Sequence, residues 1–171
     1  KHLTIMNKKL IAILFFMAPL AIFAQKFGHL NSADIIQAMP EYKTAQTELQ
    51  NLEKQYTNEL QMMESELAKK SEAYDKEKAT LPANIAQRRE AELQELYARM
   101  QQYYQTSQQE LAQASQEKMN ALTEKITKAI KEVGVAGGYL YIFDLASGIP
   151  YISETLSTDV TGAVKTKLGI Q

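Results

Sequence analysis

Only a few side chains in this sequence could do chemistry, and their company decides what kind. After residue 24 the sole histidine is His29, and the chain has no cysteine. A metal site needs about three or four ligands, and no second histidine or motif carboxylate stands near His29 in the sequence. Paired carboxylates for acid–base work are suggested by Glu64/Glu66 and by Glu90/Glu92/Glu95. These acids sit beside Lys and Arg at helix-face spacings, the pattern of a solvated face. Glu72 and Lys76 have the spacing of a helical ion pair, and Lys128 and Glu132 repeat it in the reverse order. Ser147-Gly148 lacks the Gly-x-Ser-x-Gly context of a nucleophile elbow, and no Walker-type glycine loop is present to cradle a nucleotide. The residues therefore point away from an enzyme: no catalytic group, metal or cofactor is expected.

Binding chemistry is better represented. Met62, Met63, Tyr97, Met100 and Tyr103 cluster in the middle of the chain, with Tyr104 beside them. Flexible thioethers and amphipathic rings make an adaptable apolar surface of many weak contacts; the plainer use of the same residues is to fill a helix–helix seam. Lys69, Lys70, Lys76, Lys78, Arg88 and Arg89 stand against Glu72, Asp75 and Glu77 within residues 69–89, a local charge of about +3. Such a basic stretch suits lipid or acidic partners, or is a solvated turn.

The elements that must position these groups are announced by an absence. No glycine occurs between Gly28 and Gly134, and the only prolines there are Pro40 and Pro82. Gly and Pro are the usual punctuation of turns, so two uninterrupted segments follow, Glu41 to about Thr80 and about Ala83 to Val133. Both are rich in Ala, Glu, Gln, Lys and Leu, the best helix formers. In the first, Tyr42, Ala45, Leu49, Leu52, Tyr56, Met63, Leu67 and Tyr74 recur at steps of three and four, with one position skipped near Leu60. In the second, Leu93, Leu96, Met100, Tyr104, Ser107, Leu111, Ala114, Leu122, Ile126, Ile130 and Val133 do the same, most weakly near Ser115 to Met119. This narrow apolar seam predicts an antiparallel coiled-coil hairpin. Leu81-Pro82-Ala83-Asn84 is its reversal, since proline disfavours helix before it and suits the first helical turn after it. The thin, Gln-rich middle predicts bending and splaying of the distal half.

The ends read differently. Phe27 to Leu30 is a short strand, and Asn31 or Ser32 caps a helix carrying Ile35, Ile36 and Met39. Gly134 is expected to end the long helix. Tyr139 to Leu145 is the strongest strand pattern in the chain, Ser147-Gly148 turns it, and Ile149 to Ile152 is expected as a second, edge strand because of Pro150. Asp159 to Leu168 closes as a helix with Val160, Val164 and Leu168 inward. The fold class is α+β, mainly α: a hairpin (residues 41–133, apex near 80–84) projecting from a small body (residues 25–40 and 134–171). About 50 residues bury little surface alone, so strands of several copies are expected to share the body, through Leu30, Tyr139, Tyr141, Ile142, Phe143 and Tyr151.

Before the body, Lys8 and Lys9 precede an apolar run from Leu10 to Phe23 ending at Ala24, the order of a secretory signal peptide. The run of about 14 residues is short of the roughly 20 that span a bilayer. Cleavage after about Ala24 would remove Lys1, Lys8 and Lys9 from the 19 Lys and Arg, leaving 16 against 20 Asp and Glu. A chain of about −4 is ill suited to nucleic acid, where cations neutralise phosphates.

At its two ends the sequence resembles the Skp/OmpH family of periplasmic chaperones. The resemblance rests on Lys26-Phe27-Gly28-His29-Leu30-Asn31-Ser32, Ile35-Ile36 and Met39-Pro40-Glu41-Tyr42-Lys43, then on Tyr139 to Tyr151 with Asp159-Val160-Thr161, Val164 and Leu168. The helical middle matches in length and composition. The resemblance implies a homotrimer in the periplasm whose hairpins hang around a cavity and hold unfolded outer-membrane proteins without ATP. It departs from the strongly basic members in its acidic balance, which leaves membrane contact to the basic tip alone. The competing expectation is an envelope scaffold or adaptor whose hairpin docks specific folded partners.

Overall fold

The computed structural model describes residues 25–170. Strand β1 (Lys26–Leu30) leads into a short helix α1 (Ser32–Ala38). Asn31 caps α1, its side-chain oxygen accepting from the backbone N–H groups of Ala33 and Asp34, so two otherwise orphaned donors are satisfied. Pro40 then opens α2 (Pro40–Glu77), and after a turn α3 (Ala83–Gly137) runs back. The reversal is where the sequence places it, with Pro82 immediately before the first turn of α3. At 1.5 Å per residue the helices are about 57 and about 82 Å long, from 38 and 55 residues.

Strand β2 (Tyr139–Asp144), a 3-10 turn (Leu145–Ser147), strand β3 (Ser157–Asp159) and helix α4 (Thr161–Lys167) complete the chain. The three strands form one sheet in the order β2-β1-β3, and both pairings are parallel. Two expectations are corrected here. The long helix passes through Gly134 and Gly137, and Gly138 (φ 65) closes it in the left-handed conformation, its N–H donating to the carbonyls of Gly134 and Val135. A β-carbon would force that backbone into strain, which glycine avoids. Ile149 to Ile152 is not a strand. Pro150 has no N–H to offer a ladder, and a strand returning directly from β2 would run antiparallel, whereas this sheet is parallel. The chain instead travels back before entering as β3.

One face of the sheet is covered. Leu30, Ile35, Met39, Leu122, Ile126, Ala129, Val160 and Val164 form a single buried cluster, flanked by Tyr139, Ile142 and Leu168. The lower end of α3 thus supplies much of the core that residues 25–40 and 134–171 lack on their own. Gly28 lies under this packing: a β-carbon there would stand 3.1 Å from Tyr139 Cδ1 and 3.2 Å from Ile142 Cγ1. Asp144 locks the end of β2 to the start of α1, accepting from the Ser32 N–H (3.1 Å), the Ser32 hydroxyl (2.5 Å) and the Ala146 N–H (3.0 Å).

The hairpin is thin by comparison. No residue of α2 is fully buried, and its seam runs through half-buried Tyr42, Ala45, Leu49, Leu52, Tyr56, Leu60, Met63, Leu67, Ser71 and Tyr74. Leu60, passed over by the sequence pattern, therefore belongs to it. On α3 the seam takes Tyr103 and leaves Tyr104 54% exposed, the reverse of the expected assignment. Tyr103 meets Tyr56 edge to face, ring centres 6.1 Å apart, a favoured geometry of the ring quadrupoles. Buried Ser107 stands one turn on, its hydroxyl donating to the carbonyls of Tyr103 (2.7 Å) and Tyr104 (3.1 Å).

Candidate functional site

Three surfaces collect the residues singled out from the sequence. The first is the uncovered face of the sheet. Register pairs Phe27 with Tyr141 and His29 with Phe143, and Phe27 with Ser157 and His29 with Asp159, so these six share the outer face. Phe27, Tyr141 and Phe143 stack on one another with ring centres 6.0 to 6.4 Å apart. Tyr141 stays 59% exposed and Phe143 39%; elsewhere in the body Tyr151 (79%) and Leu156 (78%) stand almost bare. Of the six residues expected in a shared body, Leu30, Tyr139 and Ile142 turn inward to the intramolecular core. Tyr141, Phe143 and Tyr151 face outward, joined by Phe27 and Leu156, which the sequence reading passed over.

His29 sits on this face in a polar arrangement that glues strands. Its Nδ1 is 2.9 Å from the Ser157 hydroxyl. The Asp159 carboxylate does not orient that imidazole: it accepts from the Thr161 N–H at 2.8 Å, and its hydrogen bonding to Thr161 holds its pKa below the ordinary value. A nucleophile relay needs the carboxylate on the ring nitrogen opposite the serine, which is not this geometry. Among the described residues no group of His, Asp and Glu could hold a metal ion.

The second surface is the seam and its flanks. Met63, Met100 and Tyr103 are half-buried between the helices, whereas Met62 and Tyr97 face solvent. Polar bonds across the seam hold the thin hairpin closed. Lys125 reaches Glu41 (3.0 Å) and Lys118 reaches Glu48; the Tyr56 and Tyr74 hydroxyls donate to Glu110 (2.6 Å) and Glu90 (2.5 Å). Both phenols are raised above their usual pKa by those carboxylate partners. None of these cross-helix bonds was anticipated, because a single sequence does not show which of many charged residues face each other. Concavities along the hairpin are open ones: one of about 720 Å³ is lined by Met62, Lys69 and neighbours from α2 alone, and another of about 220 Å³ lies between Ala45 and Leu122.

The third surface is the basic tip. Lys70, Lys76 and Lys78 pair with Glu66 (2.9 Å), Glu72 (2.5 Å) and Asp75 (2.8 Å), and Arg88 pairs with Glu92 (3.5 Å). Of the six tip cations, Lys69 and Arg89 make no ion pair among the described residues. The Glu72–Lys76 pair is therefore as the spacing predicts. The Lys128–Glu132 pair is not: Glu132 bonds Lys167 of α4 at 2.8 Å instead, which lowers its pKa. The reverse order is the weaker one along a helix, and a partner on another element displaces it. No helix among the described residues is long and apolar enough to cross a membrane. Residues 1–24, with the expected signal peptide, lie outside the described residues.

A half-covered sheet that carries a long two-helix arm has counterparts. Residues 26–168 match the protein family described as outer membrane protein (OmpH-like). The chain belongs to the OmpH-like family. A crystal structure of a Caulobacter crescentus protein, described as an OmpH-like outer membrane chaperone, superposes with a TM-score of 0.73 over 84% of this chain and 83% of that one, at 19% identity. At that identity the likeness is one of fold. Among curated protein sequences none matches this one.

Proposed function

We propose that this OmpH-like chain is an ATP-independent holdase of the periplasm that keeps unfolded outer-membrane proteins from aggregating. It would work as a homotrimer, the bodies joined and the hairpins enclosing the client. One observation carries the reading: the stacked Phe27, Tyr141 and Phe143, with exposed Leu156 next to β3, form an apolar face that nothing among the described residues covers. Contiguous exposed apolar surface of this kind marks an interaction site. Its place on the body, at the far end from the hairpin tip, suits joining copies while the hairpins stay free. The narrow seam and open concavities suit a client held by many weak contacts rather than in a pocket. The signal-peptide pattern before the body supports export.

The test is to follow aggregation of an unfolded β-barrel protein diluted from denaturant with the chain present. Protection at one trimer per client, with no nucleotide added, is the expected result. Lack of protection, together with tight binding to one folded envelope protein, would instead establish a scaffold.

A further inference from the structure

The most distinctive uncharged surface of the molecule is a strip on α3. Tyr97 and Tyr104 are half-exposed and stand seven residues apart, so they project from the same side of the helix. The adjacent column, displaced by three or four residues from each, is Gln94, Gln101 and Gln108, all exposed. Their inner border is the half-buried Leu93 and Met100 of the seam. The only charged residues from 93 to 109 are Glu95 and Arg99. Each is two positions from Tyr97 and so does not share its face. The carboxylates that bound the strip along the helix are both engaged: Glu90 accepts from Tyr74 and Glu110 from Tyr56 across the seam.

We propose that this tyrosine–glutamine strip binds an extended, uncharged segment of an unfolded polypeptide; the proposal rests on the holdase reading and assigns the surface that reading leaves open. Tyrosine offers a large, flat contact with a polar tip at low entropic cost, and amide side chains adapt their hydrogen bonds. That combination also serves antibody paratopes, which must grip varied polypeptides. An extended chain has unpaired N–H and C=O groups, which the glutamine amides can meet as both donors and acceptors. The strip from residue 94 to 108 is about 21 Å long at 1.5 Å per residue, the span of about six residues of extended chain. Its charge matches such a segment: Tyr97, Tyr104 and the three glutamines are uncharged, and Glu95 and Arg99 stand on other faces of the helix, so an uncharged segment lying along the strip buries no charge of residues 93–109.

The test uses the full protein and a labelled, urea-unfolded outer-membrane β-barrel protein, with affinity read by fluorescence. Salt is set at about 0.1 M and at about 1 M, where the screening length falls from about 10 to about 3 Å. Wild-type affinity is expected to be unchanged by salt. Y97S/Y104S, which keeps helix propensity close to that of tyrosine, is expected to retain full helicity and bind about tenfold more weakly, about 1.4 kcal/mol. Y97F/Y104F, keeping the ring area, is expected to bind as the wild type does. Serine variants that bind like the wild type, or wild-type binding that is lost at high salt, overturn the proposal. So does a changed mass of the client-free serine variant, which would make the strip a contact between copies. A wild type that fails to bind the unfolded probe at all would sink the holdase reading as well.

Discussion

Replacing Tyr141 and Phe143 together by serine isolates the apolar face of the body from its core, because neither side chain belongs to the buried cluster. An aromatic side chain has roughly 150–250 Å² to bury. With 59% of Tyr141 and 39% of Phe143 still exposed, the pair leaves roughly 200 Å² per protomer to be covered by a neighbouring copy. At about 25 cal/mol per Å² that is about 5 kcal/mol if all of it is buried. Half coverage would still weaken association by nearly two orders of magnitude per protomer, on the scale of about 1.4 kcal/mol per tenfold. Light scattering coupled to size exclusion, across a range of concentrations, is expected to give three chains for the wild type and one chain for Y141S/F143S. Helicity of the variant should be close to the wild type's, since neither ring belongs to the core that α3 helps to build. A variant with the wild-type mass at every concentration would refute the assignment of this face, and a monomeric wild type would remove the trimer altogether.

Other consequences are open to direct measurement. Ile35→Ala, at a fully buried site between α1 and the sheet, is expected to lower stability by about 2–5 kcal/mol in urea titration; a loss under about 1 kcal/mol would mean the site collapses or the core is not cooperative. Gly138→Ala places a side chain at φ 65 and should cost about 1–2 kcal/mol. Gly137→Ala meets a different obstacle, since its β-carbon would stand 2.7 Å from Tyr139 Cδ2 and closer still to Cε2; it should displace that ring and blur the near-ultraviolet circular dichroism of tyrosine. Acid should act through the carboxylates whose pKa is depressed, Glu41 and Asp159 among them. Glu41 is held below its ordinary 4.5 by a backbone hydrogen bond and by Lys125, and Asp159 below 3.8 by its hydrogen bonding to Thr161. A depressed carboxylate contributes stability above its unfolded pKa and loses it as pH falls through the folded value. The structure should therefore be unaffected by these groups at pH 5 and weaken below about pH 4. In alkali the raised phenols of Tyr56 and Tyr74 keep their contribution up to about pH 10 and lose it above. Hairpin loosening between pH 5 and 9, followed by far-ultraviolet circular dichroism, would contradict both assignments.

The hairpin was legible because local signals agree: long glycine-free segments, strong helix formers, seven-residue spacing, and a proline at the turn. The body was legible in parts. Asn31 as a cap and Tyr139 to Asp144 as a strand are local facts that the sequence states directly. The identity of the third strand is not local, because Ser157–Asp159 pairs only through β1, more than a hundred residues away, and its Ser-Thr-Asp composition has weak strand preference. The choice between Tyr103 and Tyr104 failed for a related reason. Both continue the three-four rhythm, and only the position of Tyr56 on the opposing helix decides which one turns inward. The binding candidates divided similarly, Met62 and Tyr97 outward, Met63, Met100 and Tyr103 inward.

The parallel sheet also imposes an order of events on the nascent chain. Its central strand is made first, yet both neighbours of that strand come from the other end, and the bond joining Ser32 to Asp144 spans 112 residues. Closing so long a loop through random coil is slow, but the helices can form and zip by local steps and deliver the two ends to one another. Leu122, Ile126 and Ala129 then serve as the template on which β1, β2 and α1 condense. The aromatic face is complete only after β2 has docked. Synthesis order thus acts as a timer: the arms can be finished before the aromatic face exists, so the association of copies proposed for that face would wait for a folded body.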